Sequence, residues 1–240
     1  MKLNSLTLVI FLCSVALSAQ DKSFYWGPRA SLNMFSVYNT NSVRVQYGNP
    51  ADKVIHRDSY KDASGVGMDF GLAARYMFGS WGAAVELNIG LCMLSMDNDL
   101  YGRTSYNAMG YANRTSLQEN LDFFRFSMPI MYFKKFGELF YVEVGPQFSL
   151  NYADDRTLGE DEEIELGGWK PNLFGVSALL GGGFDMPVGK TKRLDIGGRL
   201  VLDFTRLESD SEVELEESES FRKASSAKLF AWYSYLAFYL

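Results

Sequence analysis

The sequence predicts an all-β protein: an eight-stranded antiparallel up-and-down transmembrane β-barrel with short periplasmic turns and long extracellular loops. Three observations carry this. From Phe24 onward, apolar and polar residues alternate with period 2. The alternating segments are long, at about 14 to 18 residues against a usual 5 or 6 for soluble strands. The connections between them alternate in length, short then long. Composition closes off other classes. The 240 residues are 47% hydrophobic and 22% charged, with a mean hydropathy of −0.10. No apolar run of the roughly 20 residues needed by a membrane helix follows residue 20. Aromatics make up 15% of the chain, which excludes disorder.

The elements follow in order. Met1-Lys2 is a short positive start, and Leu6 to Val15 has the length of a signal-peptide apolar core. Ala16-Leu17-Ser18-Ala19 places small residues at the cleavage site, so residues 1–19 read as a signal peptide and 20–240 as one barrel domain. Leu12 before Cys13 is not the small residue a lipid-attachment site wants. The mature chain then keeps one cysteine, Cys92, and no internal disulfide.

The eight predicted strands lie near 24–37, 65–78, 82–96, 121–134, 139–152, 171–187, 193–207 and 226–240. The fifth shows the pattern. Phe140, Val142, Val144, Pro146, Phe148 and Leu150 share one face, and Tyr141, Glu143, Gly145, Gln147 and Ser149 the other. Connections near 79–81, 135–138 and 188–192 are short. Those at 38–64, 97–120, 153–170 and 208–225 are long, although Val43 to Tyr47 has strand-like alternation. Four long and three short connections are what a barrel with both termini in the periplasm requires.

A soluble up-and-down barrel shares this alternation but keeps its apolar face inside. Three features favour the inverted arrangement. The polar face carries unlike charges that can pair across a narrow lumen: Arg29, Arg75, Arg125 and Arg199 against Asp69, Glu86, Glu143, Asp185, Asp195 and Asp203. The same face is rich in Gly and Ser, which suits a crowded interior. Aromatics gather at strand ends (Phe24, Tyr25, Trp26; Tyr76, Phe78, Trp81; Tyr132, Phe133, Phe136; Phe140, Tyr141), as in an interfacial girdle.

Residues 121–152 also carry a resemblance. Phe126 to Lys135 is an apolar-Pro-apolar strand end followed by a basic, aromatic turn, and Phe140 to Val144 leads into Gly145-Pro146-Gln147. This resembles the PorT-like outer membrane β-barrel family of Bacteroidota. Gly27-Pro28-Arg29-Ala30-Ser31-Leu32-Asn33 is similar to that family's first strand, with Ser31 where Gly is usual. The chain ends Ala237-Phe238-Tyr239-Leu240, where the family usually closes on an aromatic. The resemblance implies an integral barrel and no particular activity.

Other constellations bear on chemistry. Gly189-Lys190-Thr191 lacks the upstream Gly of a phosphate loop, since Phe184 stands there, and reads as a turn. Gly181-Gly182-Gly183 reads as a tightly curved strand. His56, Asp58 and Ser59 are the residue types of acyl transfer, but they lie within one loop, whereas a triad is assembled from separate segments. Two acidic runs, Glu160 to Glu165 and Glu208 to Glu219, contain no base and read as solvated external loops rather than cation sites. Together they hold 12 acids. Without them and the signal peptide, 22 basic residues face 17 acidic ones, so the chain's net charge of −6 belongs to two loops.

The expectation is therefore an outer-membrane structural or interaction protein, not an enzyme, with no cofactor and no metal. Eight strands leave an interior just wide enough for side chains, so a charge-paired, closed lumen is expected. Expected partners are outer-membrane lipid, the barrel-insertion machinery during biogenesis, and an envelope or extracellular protein. Negative net charge argues against nucleic acid. Two alternatives stand beside this: an enzyme acting on lipid or peptide at the rim, and a soluble periplasmic barrel holding an apolar ligand.

Overall fold

A computed structural model describes residues 24–38, 43–47, 54–102, 113–153, 171–189, 191–208, 211–215, 218–222 and 226–240. The signal segment, the run from Glu160 to Glu165, and the tip of the 97–120 connection lie outside the described residues. Eleven strands appear in chain order: β1 (Phe24–Tyr38), β2 (Val43–Tyr47), β3 (Val54–Phe78), β4 (Trp81–Gly102), β5 (Asn113–Phe136), β6 (Phe140–Tyr152), β7 (Phe174–Val188), β8 (Lys192–Asp203), β9 (Ser211–Leu215), β10 (Ser218–Arg222) and β11 (Lys228–Tyr239). Among the described residues there is no helix.

Eight of these strands form a closed antiparallel barrel. Neighbours in sequence pair in turn from β3 to β8, β8 pairs with β11, and β1 closes the ring by pairing with both β11 and β3. The register is set by the short turns. Phe78 pairs with Trp81, Phe136 with Phe140, and Val188 with Lys192. Each turn opens on a glycine in the left-handed region, at Gly79, Gly137 and Gly189 (φ 72°, 70° and 77°). An L side chain is disfavoured there. Gly189-Lys190-Thr191 is accordingly the connection between β7 and β8, and Gly181 to Gly183 lie within β7.

Two interruptions mark the ladder. The β4–β5 pairing skips Glu86 and Leu87 opposite Met128 and Pro129, and the β5–β6 pairing skips Ile130 and Met131 opposite Gly145 and Pro146. Each gap contains a proline, which has no N–H to donate.

The wall is uneven. β3, β4 and β5 span 25, 22 and 24 residues, whereas the other barrel strands span 12 to 15. The sequence-based bounds for β3 to β5 therefore stop short. Their outer halves, expected as loop, continue the ladder above the barrel, and β2 adds to that sheet by pairing with β3. His56 falls within β3, in register with Val45 and Leu100, rather than in an irregular loop. The second acidic run is also corrected. Glu208 is buried and bridges to Pro171, and the segment beyond it forms the β9–β10 hairpin. In the other direction, β7 starts at Phe174 and β8 ends at Asp203, three and four residues inside the expected bounds.

Candidate functional site

The alternation becomes two surfaces. Among the described side chains, those of even-numbered residues of β1, β3, β5, β6, β7, β8 and β11 and of odd-numbered residues of β4 point outward. This outer face is apolar and bare, with Leu32 68% and Leu87 60% exposed. In water, so continuous an apolar surface costs roughly 25 cal/mol per Å². The described outer wall suits lipid, and the lumen holds the charge.

All ten charged residues singled out from the sequence face inward and are at most 5% exposed. They form three tiers. Nearest the short turns, Arg75 Nη2 donates to Asp195 Oδ2 at 2.6 Å, and Arg75 Nη1 lies 3.7 Å from Asp185 Oδ2. Tyr141 donates to Asp195 Oδ1 at 2.7 Å, and its hydroxyl oxygen lies against that of Tyr235. The rings of Phe133, Tyr141 and Tyr239 lie 4.6, 4.7 and 5.1 Å from the Arg75 guanidinium carbon. These contacts correct the girdle assignment for Phe133 and Tyr141. Both point inward, at 1% and 0% exposure, and pack on a cation rather than on lipid.

In the middle tier, Arg199 donates through Nη1 and Nη2 to the two oxygens of Glu86, both at 2.7 Å, and through Nε to Glu143 Oε1 at 2.5 Å. Such a fork on a carboxylate uses the planar guanidinium fully. Arg29 Nε lies 3.2 Å from Glu86 Oε2. Tyr235 donates to Glu143 Oε1 at 3.1 Å and is flanked by both guanidiniums, at 4.8 Å for Arg29 and 4.3 Å for Arg199. Asp69 accepts from Ser31 at 3.2 Å. The gap bounded by Arg29, Asp69, Asn88, Gln147, Arg199 and Tyr233 has no room for a water molecule.

Toward the long connections, Arg125 donates to Asp203 Oδ2 at 3.1 Å and to Asn151 Oδ1 at 2.8 Å. Ser177 donates to the same Asp203 carboxylate, and Tyr38 to its backbone oxygen. The lumen wall at this end is not polar as expected. Phe35, Cys92, Leu94, Leu121, Phe123, Leu179 and Val201 form a buried apolar cluster there, with Phe35 edge-on to Tyr233 at 6.3 Å.

Two partners escape the sequence reading. Lys135 and Arg193 both pair with Asp185. They flank turns and read there as surface bases. The signal is an imbalance, since the expected set holds four arginines against six carboxylates. With Lys135 and Arg193 the count is six against six. Among the described residues no cluster of three or more His, Cys, Asp or Glu is arranged to hold a metal ion.

No protein-family model matches the chain, and no curated protein matches it. Solved structures do resemble it in outline. The outer membrane protein OprG from Pseudomonas aeruginosa aligns over 90% of this chain and 94% of its own, at 11% identity and a TM-score of 0.39. The outer membrane protein AlkL, solved in lipid bilayers, aligns over 92% of both chains, at 17% identity and a TM-score of 0.36. A Pseudomonas aeruginosa FadL homologue aligns over 90% of both, at 7% identity and a TM-score of 0.32.

Proposed function

We propose that this chain is an integral outer-membrane β-barrel with a structural or interaction role, its lumen closed by paired charges and its working surface on the extracellular side. One observation carries this: the inside-out wall, with bare Leu, Phe and Met outside and an ion-paired, close-packed middle tier inside. Each of the six cations named above is paired with a carboxylate, so no run of one sign of charge lines a path for ions. The apolar cluster toward the long connections adds a dry layer above them. The extensions of β3 to β5, with β2 and the β9–β10 hairpin, supply a surface beyond the bilayer that partners from the envelope or outside can reach. β9 and the start of β10 belong to the acidic run from Glu208 to Glu219. The arrangement needs no catalytic group and no cofactor. Membership of the PorT-like family belongs to this proposal and rests on residues 126–135 and 140–147.

Detergent-dependent fractionation with conductance in planar bilayers tests it. The expected result is release only by detergent, a heat-dependent gel shift, and no stable conductance. Release by carbonate alone would remove the membrane placement. Stable channels would remove the closed lumen.

A further inference from the structure

The outer wall is not uniformly convex. A groove of about 670 Å³ lies across β3 to β7, lined by Phe70, Leu87, Ile89, Phe126, Met128 and Phe148 among others. That is within the roughly 300–1,000 Å³ of ligand pockets, and its exposed lining is almost wholly apolar. Among the side chains described on the outer face of β3 to β7, Lys134 is the only cation. It lies at the turn end of the same β4–β5 seam. Its ammonium sits 4.4 Å from the Trp81 ring centre, and Trp81 stacks on Tyr132 at 5.1 Å.

Lys134 and Met128 are six residues apart on β5. At about 3.4 Å per residue the separation is about 20 Å along the strand. With a tilt near 40° it corresponds to about 15 Å of depth, half of a hydrocarbon core roughly 30 Å thick. Between them the outward residues include Ala83, in register between Tyr76 and Tyr132, and Ala74, beside Val85; both side chains are short. A cation at the turn end, two short side chains and an apolar groove about 15 Å deeper match the outline of one lipid molecule.

We propose that this seam binds a glycerophospholipid of the periplasmic leaflet, its phosphate on Lys134 and one acyl chain ending in the groove. The site rests on the membrane placement proposed above. Charge complementarity selects this occupant: a lipid from the opposite leaflet would reach the groove without meeting Lys134.

Native mass spectrometry of the detergent-purified barrel, with phosphatidylglycerol added to the micelles, tests it. The expected result is one lipid retained per barrel. Lys134→Gln removes the cation and Leu87→Trp fills the groove, and each lowers the lipid-bound fraction at least fivefold. Lys192→Gln, on β8 away from the groove, leaves it unchanged. A heat-dependent gel shift in every variant shows that the barrel has formed. No retained lipid in the parent protein, or equal retention in Lys134→Gln, overturns the proposal. So does loss in Leu87→Trp alone, because the cation would then play no part. A chain that stays soluble without detergent removes the membrane placement instead, a separable failure.

Discussion

Glu86 and Leu87 are neighbours in β4, yet one is 1% exposed and the other 60%. The same contrast runs around the barrel, where each strand presents a charged or aromatic interior and an apolar exterior. The inner face is specified residue by residue. Arg199 meets two particular carboxylates, and Asp185 meets three particular cations. The outer face is specified only in kind: Leu, Val, Ile, Met and Phe all stand on it, exposed. Substitution should therefore be costly inside for loss of a partner, and outside only for gain of a charge.

The largest effect is expected at Arg199→Met. It leaves Glu143 without a cation and Glu86 with Arg29 alone, and breaking a buried pair costs about 3–5 kcal/mol. Urea titration of the heat-shifted form measures this. Adding Glu86→Gln and Glu143→Gln should recover part of the loss; no recovery would mean that packing rather than charge holds the tier. Next comes Leu87→Arg, a charge on the apolar outer face, expected under the proposed membrane placement to cost about 2–4 kcal/mol. A cost near zero would show that water, not lipid, covers this surface. Gly90→Ala should cost about 1–3 kcal/mol by overpacking, because a Cβ there would lie 1.8 Å from Asp69 Oδ1 and 2.8 Å from Met68 O. The smallest effect belongs to Val144→Ala on the outer face, within about 0.5 kcal/mol. A larger loss there would place an unseen contact on the belt.

Much of the barrel is legible in its amino-acid order. Period-2 alternation marks strand identity and face, because each side chain's face is set by its own position. The short turns mark register, because Gly79, Gly137 and Gly189 stand where the chain reverses. Three kinds of fact are not legible there. The continuation of β3 to β5 depends on pairing between strands, and Val54 to Ser59 or Asn113 to Asn120 show no strong alternation of their own. The direction of Phe133 and Tyr141 follows their parity, but residue type suggests a girdle, and the cation that holds them, Arg75, comes from a distant strand. The choice of partner within the lumen depends on which strands face one another across the ring. Glu86 meets Arg199 across 113 residues of chain, a pairing no local spacing encodes.

Cys92 is the only cysteine among the described residues, and it is 1% exposed within the apolar cluster inside the wall. A maleimide cannot reach it while the ring is closed. The thiol thus serves as a clock on closure: the rate at which it becomes modified reports how often the wall parts near β4, and its quenching during refolding times the moment the last seam is sealed.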